Sequence, residues 1–280
     1  MQKAIKKWFP VLALPTVVAF LISFLIPFIM GIYLSFCKFK TVKNAKWVGF
    51  DNYLKAFANE DFINALWFTV KFTIVSVITI NILAFLFAML LTKALRGTNV
   101  FRTIFFMPNL IGGIVLGYIW LMIINGVLQY FNATITTDAS SGFWGLVILM
   151  NWQLIGYMMI IYISGIQNIS PDLIEAAQID GANSVQRLFH ITIPQVMPSI
   201  TICLFLTLTN SFKLFDQNYA LTAGAPGKST QMLALDIYNT FYGRVGWQGV
   251  GQAKAVIFFI IVAIIAFIQL RATNKKEIEQ

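Results

Sequence analysis

The chain has 280 residues, of which 58% are hydrophobic and only 11% charged, and its mean hydropathy is +0.76. Soluble domains carry about 25% charge, so this composition excludes a soluble globular domain and points to an all-α polytopic membrane protein. The net charge of +9 does not indicate a nucleic-acid partner, because the basic residues lie in short clusters beside hydrophobic blocks, as they do next to anionic lipid headgroups.

The chain opens on the basic stretch MQKAIKKWFP. The apolar run that follows, 11–36, is too long for a signal-peptide core and has no small-x-small cleavage site, so it reads as a retained first span. Blocks at 65–92, 101–124, 143–167, 196–216 and 254–271 complete a set of six, each near the ~20 residues that cross a bilayer. The fifth is the weakest, because Thr201, Thr207, Thr209, Asn210 and Ser211 interrupt it. Between the blocks lie a lysine-bearing loop (37–64), a tight turn (93–100), a polar loop (125–142), a polar stretch (170–198) and a long loop (217–253). No separate soluble domain is expected, and 1–280 reads as a single transmembrane domain. Six spans place both termini on one side. Lysine and arginine nearly balance across the membrane. Cytoplasmic termini are favoured by the basic start (Lys3, Lys6, Lys7), the tight turn holding Lys93, Arg96 and Arg102, and the basic end (Arg271, Lys275, Lys276).

The stretch Ser170–Pro198 reads as two short helices rather than a loop. Ser170 suits an N-cap, Pro171 the first helical position, and Asp172 and Glu175 place negative charge in the first turns. Leu173, Ile174 and Ala177, then Val185, Leu188 and Phe189, form apolar stripes; Gly181 divides the halves, and Pro194 and Pro198 close the second. Such an element is either a docking surface for a soluble partner or an interfacial helix pair with none. Polar groups at membrane depth tend to face a cavity or a partner. Lys71 lies one to two turns inside its block and either snorkels or serves as a functional charge. Asn151, Trp152, Gln153 and Tyr157 in the fourth block, with Thr207, Thr209, Asn210 and Ser211 in the fifth, either hold helices together or suit a hydroxylated solute.

Signals of catalysis are weak. Ala225-Pro226-Gly227-Lys228-Ser229-Thr230 resembles the end of a phosphate-binding loop, but the position that requires glycine is Thr222. Cys37 and Cys203 sit in or beside apolar segments and imply no disulfide framework, and the single His190 forms no metal cluster. No nucleotide site, metal site or catalytic constellation is expected in this chain.

The polar stretch also resembles a known pattern. Glu175-Ala176-Ala177, Asp180-Gly181-Ala182 and Ile193-Pro194 are similar to the EAA loop of permease subunits in binding-protein-dependent ABC importers, with Ile193 in place of the usual leucine. Trp47-Val48-Gly49-Phe50-Asp51-Asn52-Tyr53, Ala94-Leu95-Arg96-Gly97 with Phe101-Arg102 and Met107-Pro108, and Leu221-Thr222-Ala223-Gly224-Ala225-Pro226 extend the resemblance over nearly the whole chain. The last of these points to the carbohydrate branch, which includes maltose, glycerol-phosphate and multiple-sugar systems.

That resemblance implies the type I ABC importer permease fold, in a bacterial-type inner membrane. It implies a coupling helix whose Glu175, Ala176, Ala177, Asp180, Gly181, Ala182 and Pro194 meet a cytoplasmic ATPase. The implied partners are a second, similar permease, two ATPase subunits that hold ATP and magnesium, and an extracytoplasmic sugar-binding protein. Matching the family pattern carries substrate contacts onto Tyr157, Thr207 and Ser211, beside the polar Asn210, while a further polar position of the family falls on Leu214. Solutes of the glycerol-phosphate type are the alternative cargo. An ion-coupled transporter is a different class of reading; it would need an intramembrane acid, and Asp216 near a span end is the candidate.

Overall fold

The computed structural model describes residues 2–93 and 97–274. The expectations on Ala94, Leu95, Arg96, Lys275 and Lys276 lie outside them, as do the side chains of Lys3, Lys6 and Lys7. Among the described residues, five helices are long and apolar enough to cross a membrane: Ala13–Ser35, Glu60–Leu91, Gly113–Phe131, Ala139–Gln167 and Gln248–Ala272. A sixth span arises if Ser184–Gln195 and Met197–Phe212, bent by 70° at their junction, count as one. The all-α expectation stands, with five spans, or six when the bent pair is one span.

The chain divides into two compact units. The first comprises 1–62 and 237–259. It contains α1 (Gln2–Phe20), α2 (Ile26–Ser35), the short antiparallel pair β1 (Cys37–Lys38) and β2 (Lys46–Trp47), and α3 (Asp51–Phe57). Between α1 and α2 one π turn, Leu21–Leu25, precedes Pro27, and the Ile26 N–H reaches back to the Leu21 carbonyl. Proline has no N–H to give, and a widened turn just before it keeps the apolar rod continuous.

The second unit comprises 63–236 and 260–280. It holds most of α4 (Glu60–Leu91), then α5 (Thr98–Phe106), α6 (Gly113–Leu128), α7 (Ala139–Gln167), α8 (Pro171–Ile179), α9 (Ser184–Arg187), α10 (Ile193–Gln195), α11 (Met197–Phe212) and α12 (Asp216–Leu221). Helices α13 (Leu233–Gly243) and α14 (Gln248–Asn274) each run from one unit into the other. The core of the second unit is built on α7, whose Leu146, Leu149, Met150, Met158, Met159 and Tyr162 are fully or almost fully buried. Asp138 starts α7 by accepting N–H bonds from Ser140 and Ser141 at 3.1 and 3.2 Å.

Two boundaries differ from expectation. The block 101–124 is not one span. Helix α5 ends in a 3-10 turn, Met107–Leu110, with Pro108 buried; Ile111 and Gly112 are extended, and the membrane-long helix starts only at Gly113. The apolar residues of amphipathic α5 had blurred this break. The expected loop 217–253 is largely helical, as α12 and α13. Lys71 lies roughly 16 Å, three turns, along α4 from its start at Glu60, at a rise of about 1.5 Å per residue. Its side chain is exposed on the outer face of α4.

Candidate functional site

A cavity of about 510 Å³ opens where the middle of α7 meets the end of α11, the start of α12 and the turn after α5. Helix α7 supplies Gln153 and Tyr157, one turn apart on one face, with Met150 and Leu154 beside them. Asn210, Lys213 and Leu214 come from the end of α11, Asp216 and Gln217 from α12, and Asn109 from the 3-10 turn. The Gln217 amide donates to Gln153 Oε1 at 2.7 Å. Phe106 meets the edge of the half-buried Tyr157 ring at 6.3 Å. Four amides, one tyrosine ring, one cation and one anion thus line a single space.

Small residues bring these elements together. A Cβ on Gly113 would come within 2.7 Å of the Asp216 Cβ, and one on Gly117 within 2.5 Å of the Ala220 Cβ. Side chains there would push α6 off α12 and move Gln217. Gly156, one residue before Tyr157, lets α7 touch the Phe105 backbone, where any side chain would overlap the carbonyl.

The expected substrate residues separate into two groups. Tyr157 and Asn210 line the cavity. Thr207 and Ser211 do not line it: both are fully buried between helices. Thr207 Oγ1 accepts from Asn81 Nδ2 at 2.9 Å and donates to the Cys203 carbonyl at 2.7 Å, while Ser211 Oγ donates to the Thr207 carbonyl at 2.7 Å. Tyr162 adds its hydroxyl to Asn81 Oδ1 at 2.7 Å, and Asn151 donates to Thr79 Oγ1 at 3.0 Å. These groups hold α4, α7 and α11 together. Leu214, where the family pattern is polar, lines the cavity as an apolar contact. Asn109 and Gln217 were missed. Asn109 is the one amide between Arg102 and Asn125, a signal available in the sequence. Gln217 lay in what read as a loop.

The EAA-like stretch folds as two capped helices. Helix α8 starts with Pro171 in its first turn and ends in a Schellman motif. The Ala182 N–H bonds the Ala177 carbonyl at 2.9 Å and the Gly181 N–H the Gln178 carbonyl at 3.1 Å, with Gly181 left-handed at φ +79°. Asn183 opens α9 with a capping box: its Oδ1 accepts from the Gln186 N–H at 2.9 Å, and Gln186 Oε1 accepts from the Asn183 N–H at 2.8 Å. The expected cap at Ser170 forms no side-chain bond. Prolines do not end the second helix at once. A π turn, Leu188–Thr192, precedes Pro194, and the chain bends at Val196, just before Pro198 in the first turn of α11.

Glu175, Ala176, Asp180 and Gly181 are exposed, and Ala177, Ala182 and Pro194 are half-buried. Leu173, Ile179, Val185 and Phe189 are exposed around them, Ile179 by 85%. Glu175 also borders a groove of about 570 Å³ that runs to Lys93 and Thr92 past the end of α4. His190 is an exposed residue whose Nδ1 lies 3.0 Å from the Gln186 carbonyl. The phosphate-loop lookalike forms a turn leading to α13, which starts only at Leu233. Its Thr230 is buried, donating to the Ala225 carbonyl at 2.6 Å, and no helix N-terminus meets the glycine.

Comparison with known proteins identifies the family. Residues 84–276 match the family of binding-protein-dependent transport system inner membrane components. The chain is 44% identical, over 97% of its length and 96% of the relative's, to the probable starch degradation products transport system permease protein AmyD of Thermoanaerobacterium thermosulfurigenes. It is 28% identical to the multiple sugar-binding transport system permease protein MsmF of Streptococcus mutans serotype c, over 92% of each chain. It is 29% identical to the trehalose/maltose transport system permease protein MalF of Thermococcus litoralis, over 92% of this chain and 90% of that one. Its fold matches a chain in the crystal structure of a bacterial ABC transporter involved in the import of alginate, with a TM-score of 0.82 over 98% of both chains at 21% identity. The chain therefore belongs to the inner membrane components of binding-protein-dependent transport systems, carries the type I ABC importer permease fold, and is a multi-pass transport subunit rather than an enzyme.

Proposed function

We propose that this chain forms half of the translocation pathway of an ABC importer for a neutral sugar or oligosaccharide, with the whole chain acting as one permease domain. The observation that carries the cargo is the cavity lined by Asn109, Gln153, Asn210, Gln217 and Tyr157. A sugar ring has an apolar face that an aromatic ring covers and a rim of hydroxyls that amides bond. Amides both donate and accept, so they suit hydroxyls better than a lone charge does. Lys213 is accompanied by Asp216 in the same cavity, so the lining carries no net positive charge for a phosphate. The relatives named for starch products, multiple sugars and trehalose/maltose support the same class.

Transport needs energy that this chain does not supply. The solute arrives on an extracytoplasmic binding protein, a second permease completes the pathway, and two cytoplasmic subunits bind and hydrolyse Mg-ATP. The termini face the cytoplasm, as the basic clusters beside the spans favour. The α8–α9 pair, rigid because a Schellman turn closes α8 and a capping box opens α9 directly after it, docks on an ATPase through its exposed apolar residues and Glu175. Closure of the ATPases then moves α8 with α7 and α11 as a rigid body. Within the cavity, Tyr157 and Asn210 are the contacts to solute, and Thr207 and Ser211 act by holding the wall.

Uptake of labelled maltooligosaccharide tests the cargo. With membrane levels held equal, Tyr157→Ala is expected to lower uptake about tenfold, the equivalent of about 1.4 kcal/mol of lost contact. Undiminished uptake of every oligosaccharide tried would remove the cavity from the pathway.

A further inference from the structure

The segment between the first two apolar helices carries an exposed apolar surface. It follows α2 directly and ends just before α4, so both its ends are tied to spans. Within it, α3 has two faces. The inner face holds buried Asn52 and Ala56, and Asn52 Nδ2 donates to the Ser35 and Cys37 carbonyls at 2.8 and 3.0 Å. This pins α3 to the end of α2. The outer face carries Phe50, Leu54 and Phe57 at i, i+4 and i+7, exposed by 69%, 70% and 56%. Trp47, also exposed, stacks on Phe36 at the end of the first span, with ring centres 5.2 Å apart.

Charge surrounds this stripe. Lys38, Lys40, Lys43, Lys46 and Lys55 are all exposed. Asp51 is the only acid between residues 36 and 59, and it is bonded to Lys55 at 2.6 Å.

We infer that 37–57 is a membrane-surface foot that lies on anionic phospholipid. Phe50, Leu54 and Phe57 enter the boundary between headgroups and acyl chains, Trp47 joins the aromatic belt at the end of the span, and the lysines meet lipid phosphates. An exposed apolar stripe has to be covered. A stripe of aromatic and aliphatic residues flanked by lysines and tethered at both ends to spans has the chemistry of an interfacial helix. The lysines complement anionic headgroups, and the short tethers keep α3 at the bilayer surface.

The test uses the full-length chain in vesicles of phosphatidylcholine and phosphatidylglycerol. A bimane is placed on Leu54→Cys; the native Cys37 and Cys203 are buried. Doxyl-labelled lipid is expected to quench this probe strongly and aqueous iodide weakly. Iodide quenching equal to that of free bimane, with no effect of doxyl lipid, overturns the proposal. So does protection that appears only when a soluble binding protein is added, since that makes a protein the occupant. Doxyl-phosphatidylglycerol is expected to quench several-fold more than doxyl-phosphatidylcholine in mixed vesicles. That preference is expected to vanish in Lys43→Gln/Lys46→Gln/Lys55→Gln, while Leu54 stays lipid-quenched. Equal quenching by the two lipids in the unaltered chain overturns the anionic preference.

Discussion

Single atoms decide which polar residues of this chain line the cavity and which join helices. Thr207, Asn210 and Ser211 fall within five residues of one helix, yet only Asn210 reaches the cavity. The others point about 60° and about 100° around the helix from it, into α4 and α7, where Asn81 and Met150 receive them. Asn81→Ala leaves the Tyr162 hydroxyl and Thr207 Oγ1 without their shared partner. A loss of about 0.6–1.7 kcal/mol is expected, on the scale of single bonds between membrane helices, and unfolding in detergent measures it. Close approach gives a sharper case. Gly156→Ala drives a methyl into the Phe105 carbonyl, and backbone cannot yield as a flexible side chain does. Overpacking of this kind costs about 1–3 kcal/mol, so a lowered melting temperature and weakened sugar uptake are expected together. Gly126→Ala meets nothing within 4 Å, sits in α6, and is expected to leave stability unchanged or slightly raised. In the sequence these two glycines look alike.

At the scale of the element, the α8–α9 pair is set by local chemistry, and its spacing has a local reason. Four residues, Asp180 to Asn183, close one helix and open the next, and only a residue tolerant of φ +79° fits at position 181. No atom lies within 4 Å of a Cβ there, so the constraint is conformational and not steric contact with neighbours. Substitutions at Gly181 are therefore expected to follow left-handed tolerance. Gly181→Asn should keep most ATP-driven uptake, Gly181→Ala less, and Gly181→Val least, while all three insert into the membrane. Equal uptake by the three would separate the turn from coupling. Asn183→Ala removes one half of the capping box and is expected to cost about 1 kcal/mol locally. Faster hydrogen exchange at 184–190, with α7 unchanged, would register it. Elements also account for the misread span. Pro108, Gly112 and Gly113 are breakers visible in the chain, but Phe101, Ile104, Phe105 and Phe106 before them carry enough hydropathy to join α5 to α6 in any averaged window.

For the whole molecule, the exposed residues matter most. Leu173, Ile179, Val185 and Phe189 are exposed around the α8–α9 pair, and in the proposed orientation such an apolar group meets the cytoplasm and calls for a partner. Vesicles holding this chain without ATPase subunits are expected to show no solute uptake, and vesicles with the assembled importer and internal ATP to show it. Uptake by the chain alone would favour an ion-coupled mechanism instead. A fluorescent-protein fusion after Gln280 is expected to be bright, as it folds in the cytoplasm; a dark fusion at normal membrane levels would reverse the orientation.

The sequence by itself determined the membrane class, the multi-span all-α architecture and the two-helix stretch divided at Gly181. Hydropathy, glycine and proline act over a few residues, and their effects survive without tertiary context. The resemblance at Glu175, Gly181 and Pro194 led to the family for the same reason, since a Schellman turn and its flanking helices are local objects. Only the tertiary structure decided which polar residues line the cavity. Asn109, Gln153, Asn210 and Gln217 come from four separate elements, and they converge because Gly113, Gly117 and Gly156 let those elements touch. Direction around a helix and contact between distant segments are properties of packing, and no window of sequence carries them.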